Sequence, residues 1–248
     1  MCIFLGFFGI FHFIIRQIPT FLQSTMLILE NSNYILFTML TFDCKAVIVI
    51  KQKFLNRSMS LINKYTTYSE DDIEKLKYGL EGLYLTITKT VIILLISLIL
   101  NIFKETLLVI VIFNIIRYFG FGFHAEKSYQ CLIFSTFNFV VIPLIYLSIN
   151  LSDLALVIIC SLCIISFLLY APADTVKRPL PNKKKRLIRK SLTVLVSIVY
   201  ISLIFIFNNH YLTSLLISAL TIQAIVINPL TYKLFGQPYR NYKNYTVA

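Results

Sequence analysis

From position 82 onward the chain alternates between apolar runs of bilayer length and short polar breaks. The first run covers about 82–103, with Lys89 as its interior charge, placed where its stem can snorkel. The second covers about 106–123 and is the weakest, because Arg117 lies inside it. A third lies within 131–152 and a fourth within 154–173. No Asp, Glu, Lys or Arg occurs from Ser191 to Tyr232, a stretch too long for one crossing, and Asn208-Asn209-His210 splits it into two. Roughly 20 apolar residues span the hydrocarbon core as a helix, and lipid leaves the backbone no other partner than itself. The pattern predicts an all-α, polytopic transmembrane bundle with about six membrane segments in 82–232.

Ahead of these runs, Ser69-Glu70-Asp71-Asp72 reads as a capping box. The helix it opens, DDIEKLKYGLEGLYL, carries Ile73, Leu76, Tyr78–Leu80 and Leu83 on one broad face, with Glu74, Lys75, Lys77 and Glu81 mostly opposite. This is the pattern of an amphipathic interfacial helix. Residues 1–58 differ from the rest: Arg16, Pro19, Glu30, Asp43 and Lys45 interrupt their apolar runs, and they end in the basic patch KQKFLNR. They lack the basic start of a signal peptide. The expected organisation is a hydrophobic extension over 1–58, with Met59 as a natural start, and a membrane domain over 59–248.

Composition supports a lipid environment. Hydrophobic residues make up 58% of the chain and charged residues 14%, against about 25% charged in soluble domains; the mean hydropathy is +0.79. The net charge of +12 would suggest nucleic acid in a soluble protein, but no aromatic-interleaved basic element is present. The charges instead sort by side. With Arg57, Lys64, Lys75 and Lys77 inside, six crossings place Arg117–Lys127, the loop 174–190 and the tail with Lys233, Arg240 and Lys243 inside as well. Lys104, Glu105, Asp153 and His210 fall outside. The five cysteines are odd in number and form no disulfide framework. Cys160 and Cys163 read as small apolar residues on a membrane helix, without further metal ligands in sequence reach. His12 and His210 each stand alone beside an apolar run.

The densest polar stretch near a membrane segment is RYFGFGFHAEKSYQC, from Arg117 to Cys131. Ionisable groups at membrane depth are functional candidates. A thiol becomes a nucleophile when an imidazole takes its proton or cations stabilise its anion. His124 precedes Cys131 by seven positions, about 10.5 Å along a straight helix and too far for a hydrogen bond. Gly120 and Gly122 oppose a regular helix, so 120–130 is expected to bend. By pattern alone, an interfacial His and a helix-start Cys without chemistry are the better fit.

The same residues resemble the signature of the accessory gene regulator B (AgrB) family, membrane endopeptidases of peptide quorum sensing. Arg117, Gly122, His124 and Cys131 fall on the family pattern, while Phe121 stands where the first Gly of a pair is usual, with Gly120 one position earlier. YAPADTVKRP (170–179), followed by a basic loop, is similar to the family's Ala-Pro-x-Asp…Pro segment. The stretch MSLINKYTTYSEDDIEKLKYGLEGL and the closing PLTYKLFGQPYRNYKNY also resemble the family's two ends, so that the likeness covers about 59–248.

The resemblance implies a cysteine endopeptidase in which the Cys131 thiolate attacks a carbonyl of a membrane-bound propeptide, with His124 as base. A thioester acyl-enzyme follows, and a substrate thiol then closes a thiolactone. It implies no metal or organic cofactor, a short amphipathic propeptide with an acidic tail as partner, and allows a homodimer. Arg117 then binds a substrate carboxylate, holds the bend, or anchors at the interface; Glu126 is a candidate to orient His124. Lys183, Lys184, Lys185 and Arg186 attract an acidic tail or serve as a topological charge cluster. The competing readings are a transporter or peptide exporter without hydrolytic chemistry, and a noncatalytic membrane partner.

Overall fold

The computed structural model describes residues 44–65, 69–123, 128–175 and 179–244. Among them the regular elements are helical: α1 (Cys44–Tyr65), α2 (Glu70–Ile99), α3 (Phe103–Gly120), α4 (Ser128–Thr136), a π turn (Phe137–Val141), α5 (Ile142–Ser148), α6 (Asp153–Tyr170), α7 (Lys183–Phe207), α8 (His210–Ile227), α9 (Pro229–Leu234) and a 3-10 turn (Asn241–Asn244). The chain forms two compact units, 1–86 and 87–248. Within the first, α1 runs through Met59 without a break, and Phe54 and Tyr84 bring their rings to 5.2 Å.

The hydroxyl half of the capping box forms as expected. Ser69 Oγ accepts the Asp72 N–H at 3.3 Å and donates to the Asp72 carboxylate at 2.7 Å. The amphipathic stretch and the first span turn out to be one 30-residue helix, α2. A Cβ on Gly79 or Gly82 would meet nothing within 4 Å beyond the helix itself, and two lone glycines without a proline weaken a helix without ending it.

Among the described residues, five helices are long and apolar enough to cross a membrane: 72–99, 130–148, 153–170, 183–207 and 210–227. The sixth expected segment is also helical, as the 18-residue α3, but carries Lys104, Glu105 and Arg117 near its ends. At about 1.5 Å per residue it reaches about 27 Å, close to the hydrocarbon thickness. The outward faces are apolar: Leu83, Ile87, Val91 and Leu95 on α2, and Leu154, Val157, Ile158 and Leu168 on α6, are exposed. Such faces would aggregate in water and are matched by lipid.

α8 is the central helix of the second unit, packed against α3, α5, α6 and α7. Residues 214–224 are buried without exception. Ser214, Ser218, Ala219, Thr221 and Ala224 are small enough for neighbouring backbones to approach, which is what drives helix association in lipid. Cys160 and Cys163 are buried and unbridged in the same core. The π turn precedes Pro143, which lacks an N–H and crowds the preceding turn, so the helix widens there.

Candidate active site

α3 stops at Gly120 because the next two residues turn the backbone back. Phe121 has φ 53° and ψ −140°, and Gly122 has φ 133°. The helix restarts at Ser128, so this stretch is not one straight helix. The glycines are also needed for close approach. A Cβ on Gly120 would lie 2.6 Å from Gln223 Nε2, and one on Gly122 would lie 2.5 Å from Val226 Cγ1.

The bend closes against two distant segments. Gly122 N–H donates to the Ala173 carbonyl and Ala173 N–H to the Gly120 carbonyl, both at 3.0 Å, forming an isolated parallel bridge. Phe123 N–H donates to the Val226 carbonyl at 2.9 Å, and Gln223 Nε2 to the Phe121 carbonyl at 3.0 Å. Non-helical backbone at membrane depth is tolerated when its polar groups are paired inside the protein. The Phe123 ring lies 4.6 Å from Phe235, 5.6 Å from Phe134 and 5.8 Å from Tyr232. The Arg117 segment, the Ala171–Asp174 segment and the tail, noted separately along the sequence, therefore meet at one end of the bundle.

Two arginines hold the bend. Arg117 Nη2 donates to the Phe123 carbonyl at 3.1 Å, with its guanidinium 5.4 Å from the Phe113 ring centre. Of its expected roles, this contact is the one that braces the bend. Arg189 of α7 donates to the Tyr118 carbonyl at 2.9 Å and lies over Phe121 at 4.4 Å. In the sequence Arg189 is one member of a basic loop, and no local signal marks which of the clustered cations reaches a helix end.

Asp174 is buried and ties down the tail. Its carboxylate accepts the N–H of Asn241 at 3.1 Å and of Tyr242 at 2.6 Å, and its own carbonyl accepts the Tyr232 hydroxyl at 3.1 Å. Burial raises the carboxyl above its ordinary value, against the pull of the N–H donors of Tyr242, Leu180 and Asn241. Burial also pushes the Tyr232 phenol up, opposed by Arg117.

Cys131 lies in the first turns of α4, half-buried against the main core. Lys89 of α2 donates from Nζ to its Sγ at 3.7 Å. Lys89 was expected to snorkel; it reaches the thiol instead. His124 and Glu126 lie outside the described residues. Lys183, Lys184 and Lys185 are exposed in the first turn of α7, where Asn182 accepts the Lys185 N–H at 3.2 Å. Arg186 separates from them: it stacks on Tyr242 at 3.6 Å and donates to the Leu180 carbonyl at 3.4 Å. Cations at a helix N-terminus oppose its dipole, so the three lysines do not serve the stability of α7. A cavity of about 190 Å³ lined by Tyr146, Asp153, Asn208, His210 and Ser214 opens at the other ends of these helices, and His210 Nε2 lies 3.0 Å from the Leu147 carbonyl.

The sequence model of the family described as Accessory gene regulator B matches residues 55–227. An AgrB-like protein of Listeria innocua is 32% identical over 178 residues, 71% of this chain and 86% of the relative. One from Clostridium acetobutylicum is 31% identical over 183 residues, 73% of this chain and 87% of the relative. Accessory gene regulator protein B of Staphylococcus carnosus is 32% identical over 116 residues, 46% of this chain and 61% of the relative. No solved structure matches. With a family match over most of the membrane bundle, including the bend and Cys131, this multi-pass chain belongs to the AgrB family.

Proposed function

We propose that this protein is a membrane cysteine endopeptidase that cleaves a membrane-bound autoinducer propeptide, within the accessory gene regulator system of quorum sensing. Cys131 is the nucleophile and His124 the base. The imidazole takes the thiol proton as sulfur attacks the peptide carbonyl. The C–N bond breaks, and the C-terminal part of the substrate leaves as an amine, protonated by the imidazolium. The thioester that remains keeps the acyl group activated, so a substrate thiol can displace Cys131 and close a thiolactone without ATP.

The observation that carries this reading is the convergence of three separate segments around the bend that precedes Cys131. A bend of paired backbone at one end of a bundle is costly to build and suits a cavity that admits a peptide. The basic residues at this end, among them Lys183, Lys184, Lys185, Lys233 and Arg240, support a cytoplasmic orientation and an acidic substrate tail. The substrate is accordingly a short amphipathic peptide held on the bilayer, and pairing of two copies is compatible with the reading.

The test is propeptide cleavage in native membranes. Cys131→Ala and His124→Ala, each at wild-type abundance, are expected to abolish cleavage, and the wild type to trap a hydroxylamine-sensitive acyl-enzyme. Cleavage retained in either variant overturns the mechanism and leaves a transporter or exporter as the reading.

A further inference from the structure

Three segments far apart in the chain meet at the bend, and one side chain touches all of them. Tyr232 of α9 is 1% exposed. Its hydroxyl donates to the carbonyls of Ala173, at 3.2 Å, and Asp174, at 3.1 Å. Its ring lies 5.8 Å from that of Phe123 and 5.3 Å from that of Tyr239 in the tail. The Ala173 carbonyl it holds is the one that accepts the Gly122 N–H at 3.0 Å, while the Ala173 N–H returns to the Gly120 carbonyl. A carbonyl with two donors has both lone pairs engaged and is fixed in direction. Tyr232 therefore sets the strip of backbone on which the bend is laid. The contacts continue towards the thiol. Phe123 packs against Phe134 at 5.6 Å, and Phe235 touches both rings, at 4.6 and 5.2 Å. Phe134 follows Cys131 by three positions on α4, on the same side of that helix. Phe123 immediately precedes His124 in the chain.

We propose that Tyr232 is a positioning residue for the chemistry of Cys131, acting through Ala173 and the bend and touching no substrate. This deepens the endopeptidase reading and rests on it for its purpose. A side chain this buried offers nothing to a peptide, so its contribution falls on the step after binding. Without the hydroxyl, the Ala173 carbonyl keeps only the Gly122 donor, and the bend loses the group that fixes its partner strand. The Phe123–Phe134–Phe235 rings then carry any shift of the bend to α4. A misplacement of about 1 Å at the reacting atoms costs up to about 100-fold in rate.

The test compares two buried tyrosine hydroxyls in the full-length protein, held in lipid nanodiscs below its melting temperature. Tyr232→Phe removes the one under the bend. Tyr200→Phe, the control, removes one that donates to the Ile112 carbonyl at 3.0 Å between α7 and α3. Hydrogen exchange at the Gly122, Phe123 and Ala173 amides, read by mass spectrometry, is expected to quicken about tenfold or more in Tyr232→Phe and to keep the wild-type rate in Tyr200→Phe. In propeptide cleavage, Tyr232→Phe is expected to lose about ten- to hundredfold in kcat with KM unchanged, and Tyr200→Phe to stay within about twofold of wild type. Unchanged exchange in Tyr232→Phe overturns the proposal, as does a loss that falls on KM. An equal loss of kcat in both variants also overturns it, being the mark of a merely structural role. Should Tyr232→Phe not accumulate, wild-type exchange decides: Gly122 and Ala173 amides as fast as an open loop overturn the proposal, and amides as slow as those of buried α8 uphold it. No propeptide enters the exchange measurement. Faster exchange in Tyr232→Phe with cleavage retained in Cys131→Ala would sink the endopeptidase reading and leave Tyr232 as the support of the bend; unchanged exchange with cleavage lost in Cys131→Ala would sink the role of Tyr232 alone.

Discussion

Gly122 donates its backbone N–H to the carbonyl of Ala173 at 3.0 Å, joining the end of α3 to the segment that follows α6. This pairing, returned by Ala173 to Gly120, makes the bend before Cys131 a supported structure rather than a frayed helix end. It depends on the absence of side chains at two positions and on one strained residue between them.

Gly120 is sterically coupled to Gln223. Gly120→Ala pushes the Gln223 amide off the Phe121 carbonyl and is expected to destabilise the protein by about 2 kcal/mol or more, the cost of crowding plus a buried acceptor left bare. In a Gln223→Ala background the same change meets open space on that side. A thermal-unfolding double-mutant cycle in detergent should show about 1–2 kcal/mol of coupling; additive costs would mean that the contact does not form.

Phe121 occupies backbone that glycine prefers, with φ 53° and ψ −140°. Elsewhere alanine is more stabilising than glycine by about 0.5–1 kcal/mol. Here the order should invert, because Phe121→Ala loses the ring over Arg189 and keeps the strain, whereas Phe121→Gly loses both. Phe121→Gly is expected to be the more stable of the two by about 1–2 kcal/mol, read from their melting temperatures. The ordinary order would show that the backbone is relaxed.

Asp174 gives the tail a pH dependence. Burial holds its carboxyl above the ordinary value, so the folded state keeps the proton more tightly than the unfolded chain. The linked stability is fully present below the unfolded value of about 3.9 and is lost as pH rises through the raised folded value. Relative to Asp174→Asn, the wild type should therefore lose stability as pH rises above about 4, the unfolded value, measured as the difference in melting temperature at each pH. A difference growing in the opposite direction would contradict the burial argument.

The basic cluster at the start of α7 divides in two. Lys183, Lys184 and Lys185 are exposed, so replacing all three by Gln should raise KM for the propeptide roughly three- to tenfold at low salt, leave kcat unchanged, and lose its effect at about 0.5 M salt. Arg186 is stacked on Tyr242; Arg186→Ala should lower the melting temperature with KM unmoved. A KM effect of Arg186→Ala equal to that of the lysines would merge the two groups again.

The membrane spans, the capping box at Ser69 and the halt of α3 near Gly120 and Gly122 were legible along the chain because each rests on local physics. A 20-residue apolar run has one low-energy state in lipid, a hydroxyl three residues before an acid caps a helix, and paired glycines permit backbone that other residues resist. The rest needed the tertiary structure. Nothing local shows that Lys89 faces Cys131, that Asp174 holds Asn241, or that α8 stands at the centre. In water an amphipathic face announces which side of a helix turns inward; in lipid the outside is as apolar as the core, so the pattern carries no such signal. Which faces meet is decided by small residues and scattered polar contacts between distant helices, and those exist only once the bundle has closed.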